Sequence, residues 1–239
     1  MGKLLFVNTN RTNGIVGVGL CLAMAALGVW TTLSGAYAGS VLIPLGIYLG
    51  KFCLKIATQQ NELYEQGFVS KNVFGGVRGR YADLQSIARG AVRTNGVTQT
   101  NIHFVTNSGE KLTISNEKFL KGDDKMQLLL GQASTIMAEV WAKTLERQTE
   151  VVWLTKGSSP LLKIRKEGVL VEGKTGPEGF IPLSQFNVKP LYGLGVQILN
   201  GDQKVVTANS GAPNYYVGLV LIAMLANKQQ RSMAASPSN

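Results

Sequence analysis

Residues 12–50 read TNGIVGVGLCLAMAALGVWTTLSGAYAGSVLIPLGIYLG, and not one of them is charged. Gly14 to Leu33 is long enough to cross the hydrocarbon of a bilayer as a helix, which takes about 20 apolar residues. Ser34-Gly35 offers a turn. Ala36 to about Leu54 supplies a second apolar stretch, interrupted late by Lys51, whose ammonium can snorkel to the interface. Trp30, Tyr37, Tyr48 and Phe52 lie near the ends of these stretches, where amphipathic rings prefer to sit. The expectation is a transmembrane helical hairpin over residues 14–55.

The flanks orient that hairpin. Lys3 and Arg11 precede the first stretch, Lys51 and Lys55 close the second, and the turn between them has no charge. Basic flanks favour the cytoplasmic side, so both termini are expected there, with residues 1–13 as a short cytoplasmic segment. Gly35/Gly39 and Gly46/Gly50 form two G-x-x-x-G pairs that let helix backbones approach, within the hairpin or between molecules. Pro44 is expected to kink the second helix. Ala36-Tyr37-Ala38 also reads as a small-residue signal cleavage site with its cut after Ala38. However, the preceding apolar stretch is long for a signal and another follows the supposed cut.

Composition narrows the rest. The chain has 239 residues, a net charge of +10 and 16% charged residues. Such a balance favours anionic surfaces. No base-stacking motif accompanies it, so nucleic acid is not the expected partner. The two cysteines, Cys21 and Cys53, form neither a C-x-x-C pair nor a disulfide framework.

After Asn61 short β-like runs alternate with polar turns. Leu63–Lys71 and Arg80–Ile87 read as strands, and Gln99–Val105 with Glu110–Ile114 as a hairpin about Asn107-Ser108-Gly109. A helix capped by Asp123 or Asp124 follows, with Met126, Leu129, Leu130, Ala133, Ile136, Met137, Val140 and Trp141 at helical spacing to about Arg147. The order then recurs: Leu161–Ile164, Gly168–Glu172, Gly179–Val188 and Val196–Ala208, then a helix from Tyr215 to Asn227 begun by Pro213-Asn214. That helix is short for a span and is expected to pack on a sheet. Glu65-Gln66-Gly67-Phe68-Val69 resembles Lys166-Glu167-Gly168-Val169-Leu170, and Leu84-Gln85-Ser86-Ile87 resembles Leu183-Ser184-Gln185-Phe186, as a duplicated unit would give. The expected fold class is α+β: the hairpin, then two units over 61–148 and 151–228, each an antiparallel sheet or barrel closed by a helix, with 229–239 a disordered tail.

Gly67-Phe68-Val69-Ser70-Lys71, followed by Arg78-Gly79-Arg80-Tyr81 and Leu84, resembles the opening of a pleckstrin-homology (PH) domain. The layout as a whole is similar to bacterial membrane-anchored proteins with tandem PH-like modules, which implies residence in a bacterial inner membrane. In lipid-binding PH domains a lysine ending one strand and an Arg-x-Arg on the next hold inositol phosphates. The resemblance places those roles on Lys71, Arg78 and Arg80, with Gly75, Gly76 and Gly79 allowing close approach and Arg89 and Arg93 adding charge. Guanidinium groups suit this because each offers two hydrogen bonds to phosphate oxygens. The second unit has only Lys174 in its Gly173–Glu178 segment.

No catalytic constellation emerges. His103 has no evident nucleophile or acid partner, and H-E-x-x-H, G-x-S-x-G and phosphate-loop motifs are missing. Gly193-Leu194-Gly195 lacks the third glycine of a dinucleotide fingerprint, Asp123-Asp124 suits helix capping, and Trp141 and Trp153 suit a core. The expectation is a non-enzymatic interaction module without cofactor or metal, anchored among membrane lipids and offered to a protein partner. The alternative is binding of anionic headgroups through the first unit.

Overall fold

The hairpin consists of α1 (Arg11–Leu33) and α2 (Gly39–Thr58), the latter running through Pro44. This computed structural model describes residues 1–9, 11–35, 39–94, 97–115, 123–154, 162–174, 179–191 and 195–235. The Ala36-Tyr37-Ala38 site lies outside them. Two compact units divide the chain, Met1–Arg80 and Tyr81–Asn239, a boundary that falls inside the expected 61–148 domain.

In the first unit, Leu4–Thr9 forms a strand, β1. It pairs antiparallel with β2 (Gln60–Tyr64), which pairs with β3 (Gly67–Asn72), which pairs with β4 (Gly75–Arg80). Leu4–Thr9 of the expected segment 1–13 is therefore part of a sheet, and the hairpin is inserted between that sheet's first two strands. Thr9 and Gln60, where the chain leaves and rejoins the sheet, are direct register partners. Asn61, Leu63, Phe68 and Ser70 form the buried face.

Leu63–Lys71 is thus not one strand. Leu63 and Phe68 are both buried but an odd number of residues apart, and an uninterrupted strand would put them on opposite faces. The turn at Glu65-Gln66 restores both to the same side.

Within the hairpin the small residues serve the contact between the two helices. A β-carbon on Gly46 would lie 3.2 Å from the backbone of Cys21 and Ala25, and one on Gly28 would crowd Leu42 and Ile43. Cys21 and Cys53 face each other with sulfurs 3.9 Å apart. The outward residues, among them Ile15, Leu22, Ile47, Tyr48 and Phe52, are apolar and exposed. Among the described residues, these two helices are long and apolar enough to cross a membrane.

The second unit opens with a 3-10 turn at Tyr81–Asp83, then β5 (Leu84–Thr94), β6 (Val97–Thr106), β7 (Lys111–Ser115) and α3 (Asp123–Arg147). The 3-10 turn splits the expected Arg80–Ile87 strand. Tyr81 and Leu84 are both buried across the 3-10 turn, and a register shift between Leu84 and Ser86 in β5 accompanies the burial of Ile87, an odd number of residues further on. In the β6–β7 turn, Gly109 adopts φ +83° and its N–H bonds the Thr106 carbonyl at 2.9 Å. Met126, Leu129, Leu130, Ala133 and Met137 of α3 are buried as their spacing requires.

The same unit continues with β8 (Val151–Leu154), β9 (Leu162–Ile164), β10 (Gly168–Val171) and β11 (Phe180–Pro182) in one sheet. A 3-10 turn at Leu183–Gln185 follows, then β12 (Phe186–Pro190), β13 (Gly195–Asn200) and β14 (Gln203–Asn209) in another, and finally α4 (Tyr215–Ala235). All pairings are antiparallel. Helix α4 passes the expected end at Asn227 and takes in much of the expected 229–239 tail. It packs against α3 as well as beside β8. Trp153 is the centre of that packing: its ring stacks on Tyr215 with centroids 6.0 Å apart, and its indole N–H donates to the Tyr215 carbonyl at 3.1 Å.

Among the described residues, the order of four strands, 3-10 turn, three strands and helix occurs twice. Gly67 and Gly168 begin β3 and β10, and at each a β-carbon would strike a carbonyl of the facing strand, that of Gly79 or Ile181. The two 3-10 turns equate Tyr81 with Leu183 and Leu84 with Phe186. The second sequence match, which aligns Leu84 with Leu183, is therefore three residues out of phase.

Candidate functional site

The three basic residues expected to hold phosphate come together on the exposed face of the first unit's sheet. In the β3–β4 register Lys71 opposes Gly76, Val69 opposes Arg78, and Gly67 opposes Arg80. Directly opposed residues share a face and side chains alternate along a strand, so Lys71, Arg78 and Arg80 project to one side. The β2–β3 register adds Gln60, Glu62 and Tyr64 to it.

Glu62 changes what this face can do. Its carboxylate accepts from the Tyr64 hydroxyl at 2.9 Å and the Gln60 side-chain amide at 3.1 Å, and pairs with the Lys71 ammonium at 3.3 Å. The Tyr64 bond, then the Lys71 bond, hold the Glu62 carboxyl below its ordinary value, and the same carboxylate pushes the Tyr64 phenol up. Lys71 is thus engaged by an acid, although its side chain remains 60% exposed. Arg78 and Arg80 are exposed, and neither makes an ion pair among the described residues. Two guanidinium groups at i and i+2 on a strand, roughly 7 Å apart along it, can grip one phosphate or carboxylate between them.

Of the glycines expected to admit a ligand, Gly76 has a packing role. Gly75–Arg80 is a strand joined to β3 by the short turn Val73–Phe74, not a loop around a ligand. A β-carbon on Gly76 would meet the Ser70 carbonyl, so close strand packing accounts for that glycine. Arg89 belongs to the second unit and donates to the Tyr216 hydroxyl at 3.3 Å. The Arg93 side chain lies outside the described residues. In the second repeat Lys174 donates to the Val205 carbonyl at 2.8 Å, while residues 175–178 are not described.

No protein-family model and no curated protein matches this chain. The remaining sequence candidates sit in the framework. His103 lies mid-strand opposite Thr113, with Nδ1 2.9 Å from the threonine hydroxyl. Asp123 opens α3, Trp141 is half-buried, and Trp153 is buried. Among the described residues no group of His, Cys, Asp and Glu could hold a metal ion. Glu62 and Tyr64 are the residues that sequence reasoning missed. Their alternation with Asn61 and Leu63 was the available signal, hidden by taking the run to Lys71 as one strand.

Proposed function

We propose that this chain is a membrane-anchored, non-enzymatic interaction module whose two repeats are PH-like units presented to a protein partner. The observation that carries the reading is the insertion of α1 and α2 between β1 and β2. It fastens a folded sheet to the apolar helices at two adjacent points, with no long linker. The repeated order of four strands, three strands and a closing helix supports the PH-like assignment, and the basic flanks Lys3, Arg11, Lys51 and Lys55 support cytoplasmic termini in a bacterial inner membrane. The non-enzymatic part rests on the sequence, which offers no nucleophile, acid or base in a recognisable setting.

A protein partner fits the exposed sheet face better than a phosphoinositide-like headgroup, because Glu62 puts an acid among the three expected phosphate ligands and pairs with one of them. Affinity purification of the full chain from gently solubilised membranes is expected to recover a stoichiometric partner. Isolation of the chain alone in several mild detergents contradicts the reading. The headgroup alternative keeps Arg78 and Arg80. It predicts salt-resistant binding of the full chain's soluble face to anionic lipid, lost in the double variant Arg78→Ala, Arg80→Ala.

A further inference from the structure

We infer that the β3–β4 turn, Val73–Phe74, is a second point of membrane contact, an apolar tip seated in the headgroup boundary of the bilayer that α1 and α2 cross. The inference rests on the anchor reading above. Both side chains are open to solvent, Val73 at 59% and Phe74 at 51%, in a short turn where polar residues are the norm. The turn is also held against the anchor. The Val73 N–H donates to the Thr58 hydroxyl at the end of α2 at 3.1 Å, and the Phe74 ring lies 5.5 Å from the Lys51 ammonium.

Those two contacts set its depth. Lys51 belongs to the apolar span Val41–Thr58, and a lysine there extends its chain until the ammonium reaches the headgroups. An aromatic ring beside that ammonium is at the same level, where amphipathic and aromatic groups favour the interface. Lys55, exposed on the last turn of α2, adds positive charge to the same end. The chain carries no acid before Glu62. Exposed apolar side chains accompanied by lysines are the composition that binds an anionic bilayer surface. Asn72 stabilises the tip without covering it: its side-chain oxygen accepts the Phe74 N–H at 2.9 Å.

The test uses the full chain with Cys21→Ala and Cys53→Ala, reconstituted in phosphatidylcholine–phosphatidylglycerol vesicles. A single environment-sensitive fluorophore is placed at Val73→Cys or, separately, at Ile47→Cys. Both positions are exposed, so the label displaces no packing. Quenching is read from lipids bearing a nitroxide near the headgroup end of the acyl chain and from aqueous iodide. The expected result is severalfold stronger quenching by lipid nitroxide than by iodide at both positions. A lipid-quenched Ile47 label with an iodide-quenched Val73 label overturns the inference and leaves the anchor intact. An Ile47 label open to iodide and not to lipid overturns the anchor reading, and the inference with it.

Discussion

If the hairpin is an insertion into a sheet that is complete without it, then excising it should leave that sheet standing. Thr9 and Gln60 face each other directly, so joining them by Asn-Gly in place of Asn10–Gln59 closes β1 and β2 as a two-residue hairpin. The useful comparison is a second chain that simply begins at Gln60 and so lacks β1. The β1–β2 ladder has five register pairs. At roughly 0.2–1 kcal/mol per cross-strand pair, β1 is worth about 3 kcal/mol. For a chain of this size that corresponds to a Tm difference of about 6–12 °C. Both chains lack the apolar helices and can be compared in plain buffer by calorimetry and circular dichroism. The excised chain is expected to melt higher, by that margin. Equal melting temperatures would refute the assignment of β1 as an integral strand. An insoluble excised chain would refute the view that the sheet is independent of the hairpin.

Three further outcomes follow from particular contacts. Asn214 holds φ +62°, its side-chain oxygen accepts the Ile87 N–H at 3.0 Å, and its amide donates to the Gln85 carbonyl at 3.2 Å. Asn214→Ala is expected to cost about 2–3 kcal/mol by chemical denaturation, and Asn214→Gly less, because glycine keeps the left-handed backbone without strain. Gly67→Ala and Gly168→Ala each push a methyl into a carbonyl of the neighbouring strand, and each is expected to destabilise by about 2 kcal/mol in the same assay. Glu150 lies 3.0 Å from the Lys163 ammonium and 2.8 Å from the Arg165 guanidinium, and these two, Lys163 first, hold its carboxyl below the ordinary 4.5. A depressed folded value means stability that is present above 4.5 and lost as pH falls through the folded value. Glu150→Gln is therefore expected to be less stable than the parent at neutral pH, with the gap closing in acid.

Long, strongly periodic elements were legible in the sequence. The uncharged run gave both apolar helices, and Met126 to Met137 gave α3, because side-chain period alone fixes a helix of that length. Short strands were harder. The turns at Glu65-Gln66 and Tyr81–Asp83 carry no Pro, and only the parity of Leu63 and Phe68 or the three-residue spacing of Tyr81 and Leu84 betrays them. Leu4–Thr9 was opaque for another reason: its partner lies beyond the hairpin, and a non-local pairing leaves no mark on local composition. At the candidate site the sequence supplied Lys71, Arg78 and Arg80. It supplied neither their common face nor Glu62, both of which depend on strand register.

The place of the hairpin also imposes an order of assembly. Synthesis reaches Leu4–Thr9 before the hairpin, yet among the described residues β1 is an edge strand paired only with β2. Gln60–Tyr64 emerges only after both apolar helices have been synthesised. The β1–β2 ladder therefore cannot form until both apolar helices have been made. Closing β1 against β2 requires that the two ends of the hairpin lie side by side, because Thr9 and Gln60 are register partners.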